Sequence, residues 1–174
     1  MKNSLFKFLL NYEVSYILLC KIFFRKYNFK KINKVEIDAN WGTLTSFIKL
    51  DIPLEQLTVL LNSPNGYLPI SIEESPHYKF ITKFNELGQI DADEYIAYFN
   101  NYNEHAIEDQ QITKFINLYE SIKKDPSKLY VCIKRESDSF FTNKFKILDG
   151  LHRVAIAKTL NIYKVECFIV DEIY

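Results

Sequence analysis

Asp149-Gly150-Leu151-His152-Arg153 holds the residue types that most directly suggest chemistry. It follows Lys146-Ile147-Leu148, the end of a β-rich run, and precedes the helix-forming run from Val154 to Leu160. Gly150 permits a sharp turn and a close approach of a ligand to the backbone. The first turn of the helix leaves backbone N–H groups unpaired at the positive end of the dipole. His152 and Arg153 in that turn would complete an anion trap, with Gly150 and Leu151 contributing amides, and phosphate is the natural occupant. A plainer reading stands beside this one: Asp149 as an N-cap and Arg153 held by a surface carboxylate. Leu151, Val154, Ala155, Ile156, Ala157 and Leu160 point in nearly every direction around a helix wound at about 100° per residue. Such a helix is buried on most sides, which favours a purpose for the polar groups in its first turn.

A second polar cluster surrounds Ser75-Pro76. Glu73 and Glu74 precede it, and His77 falls in the first turn after Pro76, where an imidazole again meets free N–H groups. Strand alternation over Tyr67–Ile72 puts Leu68, Ile70 and Ile72 on one face, and Glu74 continues that side if the strand stays regular. Both glutamates also suit an ordinary first helical turn, where the dipole favours acids. His105, in the Asn-rich loop after Tyr102, reads more simply as a solvated residue. No His/Cys/Asp spacing forms a zinc site, and neither a Walker loop nor Gly-x-Gly-x-x-Gly is present.

The run Ile147-Leu148-Asp149-Gly150-Leu151-His152-Arg153-Val154-Ala155-Ile156-Ala157, then Leu160 and the strand Lys164–Val170, resembles the ParB/sulfiredoxin superfamily. The resemblance covers residues 128–170. A second piece, Leu68-Pro69-Ile70-Ser71-Ile72-Glu73-Glu74-Ser75-Pro76-His77-Tyr78, looks like the strand and helix start that faces the nucleotide in that fold. It is also similar to ParB-like proteins of bacterial surface-polysaccharide loci. Sulfiredoxins carry a cysteine where this chain has Leu151, so sulfinic-acid repair is not expected. Chromosome-partitioning members have a Glu-Arg-Arg turn and a following helix-turn-helix, neither of which matches here. The small-molecule kinase branch, with an Asp-Gly-x-His-Arg turn and an upstream glutamate as base, fits best. The resemblance therefore implies ATP or another nucleotide with Mg²⁺ and Glu74 as base, Glu73 being its alternate. Asp149 would help hold the metal, His152 would act near the transferring group, and Arg153 and His77 would bind phosphate.

The chain has 174 residues, 48% of them hydrophobic, enough for one domain with a real core. Its 22 basic and 22 acidic residues cancel, which disfavours a nucleic-acid partner. The charge is nevertheless uneven: residues 1–34 hold eight Lys or Arg against Glu13, a net +7. That segment is also apolar, but Lys7, Asn11, Glu13 and Lys21 interrupt it, and a membrane span needs about 18 apolar residues in a row. It reads as a helical segment packed on the domain, with a peripheral lipid or protein contact as the alternative. Cys20, Cys132 and Cys167 lack metal or redox spacing; the last two read as buried thiols, and a cytoplasmic setting is the default.

Helices are expected over residues 4–26, 53–62, 76–87, 91–102, 108–124 and 151–160. Strands are expected in short runs over 34–51 and at 67–72, 128–134, 140–148 and 163–170. The result is a mixed α/β (α+β) fold, a sheet with flanking helices over residues 35–174 and an added N-terminal helical segment over 1–34. Three functions follow. The first is a nucleotide-dependent kinase for a small hydroxyl compound, a sugar or amino-acid derivative, with a link to surface-polysaccharide synthesis resting on resemblance alone. The second is a nucleotide- or sugar-phosphate-binding regulatory module without turnover. The third is a ParB-like DNA-associated protein, disfavoured by the neutral charge.

Overall fold

The computed structural model describes residues 29–39, 42–102, 109–135 and 144–170. The expected N-terminal helices over 4–26, Cys20 and His105 lie outside these residues. Residues 29–34, grouped by sequence with the basic segment, lie in the first strand.

Among the described residues seven strands form one mixed sheet, flanked by four helices. The strands are β1 (Phe29–Ala39), β2 (Gly42–Pro53), β3 (Leu57–Ser63), β4 (Gly66–Ile70), β5 (Tyr130–Arg135), β6 (Phe145–Asp149) and β7 (Lys164–Val170). The helices are α1 (Pro76–Leu87), α2 (Asp93–Tyr102), α3 (Asp109–Lys124) and α4 (Leu151–Thr159). Strand order is β1-β2-β7-β5-β6-β3-β4. Two neighbouring pairs run parallel, β3 with β6 and β5 with β7, and the other four are antiparallel. No helix among the described residues is long and apolar enough to cross a membrane.

Alternation sets the inner face of the sheet. Val165, Cys167 and Ile169 of β7 are buried while Glu166 and Phe168 are half-covered, and Leu57, Val59 and Leu61 of β3 repeat the pattern. These residues join the buried faces of the helices in one core. In α3 that face is Ile112, Phe115, Tyr119 and Ile122, as the helical spacing predicts. α1 is bounded as its caps predict. Ser75 Oγ accepts the Tyr78 N–H, Pro76 opens the first turn, and Gly88 ends the helix in the left-handed region at φ 67°.

The helix expected over 53–62 is not formed. A short 3-10 turn, Leu54–Gln56, leads into β3 instead. Leu57, Val59 and Leu61 are buried and Leu60 lies on the half-covered face, so the short apolar run reads equally as a buried helix or a buried strand. Pro64-Asn65 is the tight link between β3 and β4, where Ser63 pairs with Gly66. β4 is an edge strand. It holds Pro69 opposite Leu60 and leaves Tyr67 and Leu68 exposed.

α4 packs against α1, α3 and β5. Val154, Ala155, Ile156 and Ala157 are fully buried, as their all-round apolar pattern predicts. A hydrogen bond between Thr82 and Thr159 (2.8 Å) and an ion pair between Glu73 and Lys158 fasten its far end to α1 and to the turn before it. Its near end begins at Gly150, with φ 98°. A Cβ there would lie 3.2 Å from both Tyr130 O and Val131 Cα of β5. Gly150→Ala is thus expected to destabilise the protein by about 2 kcal/mol, from left-handed strain and this backbone contact together. Urea unfolding at neutral pH measures it, and a loss below about 0.5 kcal/mol would mean that the turn relaxes freely.

Candidate functional site

β3 and β6 run parallel and end at the same edge of the sheet, where α4 begins. A cavity of about 370 Å³ opens there. Its floor is the end of β6 with Asp149, Gly150, Leu151 and His152, and its walls include His77, Tyr98, Phe99 and Asn62. Of the residues that sequence singled out, Asp149, Gly150, Leu151, His152 and His77 meet in this cavity. Glu73, Glu74 and Arg153 are not among its lining residues.

No side chain caps α4, so its first-turn N–H groups remain available at the cavity floor. Gly150 serves this site differently from the sequence reading. The space beside it is filled by the β5 backbone, so the glycine is needed for fit against the sheet.

His152 and His77 meet edge to face, with ring centroids 4.9 Å apart. His152 Nε2 shares a 2.8 Å hydrogen bond with the Tyr95 hydroxyl, and either atom donates according to the imidazole tautomer. Phe115 packs 4.4 Å from the His152 ring, and Tyr95 and Phe99 pack on His77. Burial, with the Arg153 charge as the second cause, lowers the His152 pKa to about 4. Burial pushes His77 well below the usual imidazole range as well, with His152 contributing. Both rings are neutral at neutral pH. His152 can give or accept one hydrogen bond there, but it does not supply the positive charge that its place in an anion trap suggests. His77 is only 4% exposed, and its Nδ1 has no partner among the described residues. Burial also raises the Tyr95 pKa, so the phenol keeps its proton.

Arg153 leaves the cavity. Its guanidinium stacks on Tyr130, 4.1 Å from the ring centroid, and donates a 3.1 Å hydrogen bond to the Tyr130 hydroxyl. Among the described residues its carboxylate partner is Asp149, 4.0 Å from Nη1, a loose pair four residues back. Tyr130 draws the guanidinium toward β5 because a cation over an aromatic face gains attraction without losing all its water.

Glu74 also departs from its expected place. β4 stops at Ile70 and the chain turns over residues 72–74, so strand alternation does not extend to Glu74. Its carboxylate accepts from the Ser71 N–H and hydroxyl, both at 3.0 Å. These bonds hold its pKa below the usual glutamate value and weaken it as a base. Glu73 is engaged by Lys158, which lowers its pKa too.

Sequence reasoning missed Tyr95, Tyr98, Phe99 and Asn62. The signal was there in part, since Tyr95, Tyr98 and Phe99 have i, i+3, i+4 spacing on α2. Tyr98 also accepts the Asn62 N–H at 3.0 Å and so joins α2 to β3. Cys132 and Cys167 are buried as expected, and burial raises the Cys132 thiol to about 11 and Cys167 well above its ordinary value. No group of three or more His, Cys, Asp or Glu among the described residues is placed to hold a metal. Asp149 is a single carboxylate, so Mg²⁺ would be held here only jointly with phosphate oxygens of a ligand. No protein-family model, no curated protein and no solved structure matches this chain.

The neutral imidazoles link the site to stability. Unfolded, a histidine titrates near 6.5, whereas folded His152 titrates at about 4. The stability that rests on its neutrality is therefore complete above about pH 6.5 and is lost as the pH falls toward 4. It amounts to about 3 kcal/mol for His152. His77 acts in the same direction. The lowered carboxylates Glu73, Glu74, Asp91 and Asp125 lose their contribution only below their ordinary values near 4, so pH 6.5 to 4.5 reports the histidines. Urea unfolding across that window should show falling stability, with a shallower fall in His77→Phe. A flat profile in the parent protein would mean that the rings are not buried neutral.

Proposed function

We propose that the cavity binds the phosphate end of a small phosphorylated molecule, a sugar phosphate or a nucleotide, and that the chain is a binding module without turnover. The observation that carries this reading is the uncapped N-terminus of α4 at the cavity floor, where the His152 imidazole adds a hydrogen-bonding group. The order β6, Asp-Gly turn, α4, β7 is also the local order that the ParB/sulfiredoxin resemblance implies, and it supports a phosphate at this turn. Volume weighs against a kinase. About 370 Å³ is near the lower end of small-molecule sites, which run from about 300 to 1,000 Å³, and a kinase must seat a nucleotide and its acceptor together. The base expected at Glu74 is bonded to Ser71 instead, away from the cavity.

One observation favours the kinase reading. Asp149 lines the cavity with only a loose tie to Arg153, which leaves it free to share a magnesium ion with ligand phosphates. With only that loose pair to offset its charge, the same carboxylate repels an anion when no metal is present.

Thermal shift with inorganic phosphate, hexose phosphates, ATP, ADP, CTP and GTP, each with Mg²⁺ or a chelator, tests both readings. A saturable rise in melting temperature with phosphorylated compounds is expected. No rise with any of them would end the phosphate reading. Asp149→Asn should tighten metal-free binding by about fivefold to tenfold, roughly 1 kcal/mol of repulsion removed. Loss of Mg²⁺-dependent binding in that variant, with turnover in the parent, would establish the kinase reading instead. Glu74→Gln should leave ligand affinity unchanged within about twofold; a larger loss would return Glu74 to the site.

A further inference from the structure

His77 is a buried polar group whose Nδ1 no described residue satisfies. Its ring lies at the cavity wall, 96% covered by the figure of 4% exposure, and Nδ1 lacks a hydrogen-bond partner among the described residues. A buried polar atom left unpaired costs about 1–3 kcal/mol, so such an atom beside a cavity points to a partner that arrives from outside. The surroundings define what that partner can be. From α2 come Tyr95, Tyr98 and Phe99, from α3 Phe115, and from α4 the neutral His152 ring. Arg153, the one cation in the first turn of α4, is turned onto Tyr130. Among the described residues Asp149 is the one carboxylate lining the cavity, and it sits at the β6 end.

We infer that His77 recognises an uncharged hydroxyl of the ligand, and that the ligand is a monosaccharide-sized sugar phosphate. The inference rests on the phosphate reading above and adds the identity of the other end of the molecule. A charged oxygen against His77 would be buried with no cation among the described lining residues to balance it, which is unfavourable. A hydroxyl both donates and accepts, so it satisfies Nδ1 in either imidazole tautomer. The phosphate then takes the free N–H groups at the start of α4, while the sugar occupies the rest of the cavity, against the wall to which His77 belongs. A cavity of about 370 Å³ accommodates one such molecule.

Isothermal titration with inorganic phosphate, a hexose 1-phosphate, the free hexose and AMP tests this in the full chain. The hexose phosphate should bind at least tenfold more tightly than inorganic phosphate or AMP. His77→Phe, which keeps an aromatic ring in the core, should reduce hexose-phosphate affinity about tenfold and leave inorganic phosphate unchanged. ¹⁵N-histidine spectra of the parent protein give a second readout that does not depend on the variant folding: the His77 Nδ1 resonance should move on adding hexose phosphate and not on adding inorganic phosphate. Equal affinity for hexose phosphate and inorganic phosphate would overturn the inference while leaving the phosphate site standing. So would tighter binding of AMP, or a His77 resonance that does not respond. Absence of binding by every phosphorylated compound would instead remove the phosphate reading itself.

Discussion

The contact between Gly150 and the β5 backbone governs the geometry of this molecule. β6 must stop, reverse its backbone handedness for one residue and start α4, all within van der Waals reach of Tyr130 and Val131. Only a residue without a side chain fits, because the turn is left-handed and the space is occupied. That contact fixes the distance of α4 from the sheet, and α4 in turn fixes α1 and α3, which pack on it. The N–H groups that face the cavity are a by-product of the same geometry. No cap can be placed at a glycine, so the start of the helix stays open to a ligand.

The helical layer carries a second constraint, which is the cost of keeping two imidazoles out of water without a counter-charge. Aromatic rings from α2 and α3 surround them, and among the described residues the Tyr95 hydroxyl supplies their one interhelical hydrogen bond, which reaches His152. Packing and protonation state are therefore the same question at this site. Rings that accommodate neutral imidazoles by edge-to-face contact do nothing to stabilise imidazolium cations enclosed without an anion. The tightness of α1, α2 and α4 around the cavity and the neutrality of His77 and His152 depend on each other.

Local signals in the sequence were reliable where the chain itself supplies the partner. Ser75-Pro76 and Gly88 bound α1 through bonds made within a few residues, and the period of Ile112, Phe115, Tyr119 and Ile122 gives the inner face of α3. The buried helix after Asp149-Gly150 was legible for the same reason. Long-range partners were not. Tyr95 and His152 are 57 residues apart, and nothing local in either segment announces their bond. Arg153 was read with the anion-binding turn because it lies in it, but Tyr130, on a neighbouring strand, determines where its guanidinium goes. Glu74 was placed by extending β4 past its end, and the Ser71 turn took the carboxylate instead. The sequence of β3 fits a helix as well as a strand, because Leu60 beside Leu61 blurs the apolar-polar alternation that identifies a strand.

Pro69 has a consequence for how the sheet meets other chains. β4 is the last strand on its side, with Tyr67 and Leu68 facing outward. A regular edge with such side chains is a template on which a foreign strand can continue the ladder, the first step toward aggregation. Proline has no N–H to offer, and it is tolerated in a sheet where that donor would have faced open water. The ladder is therefore broken one residue after Leu68, within the most adhesive part of the edge. Tyr67 can lie beside the cavity mouth, available to a small molecule, while the backbone next to it resists extension by another polypeptide.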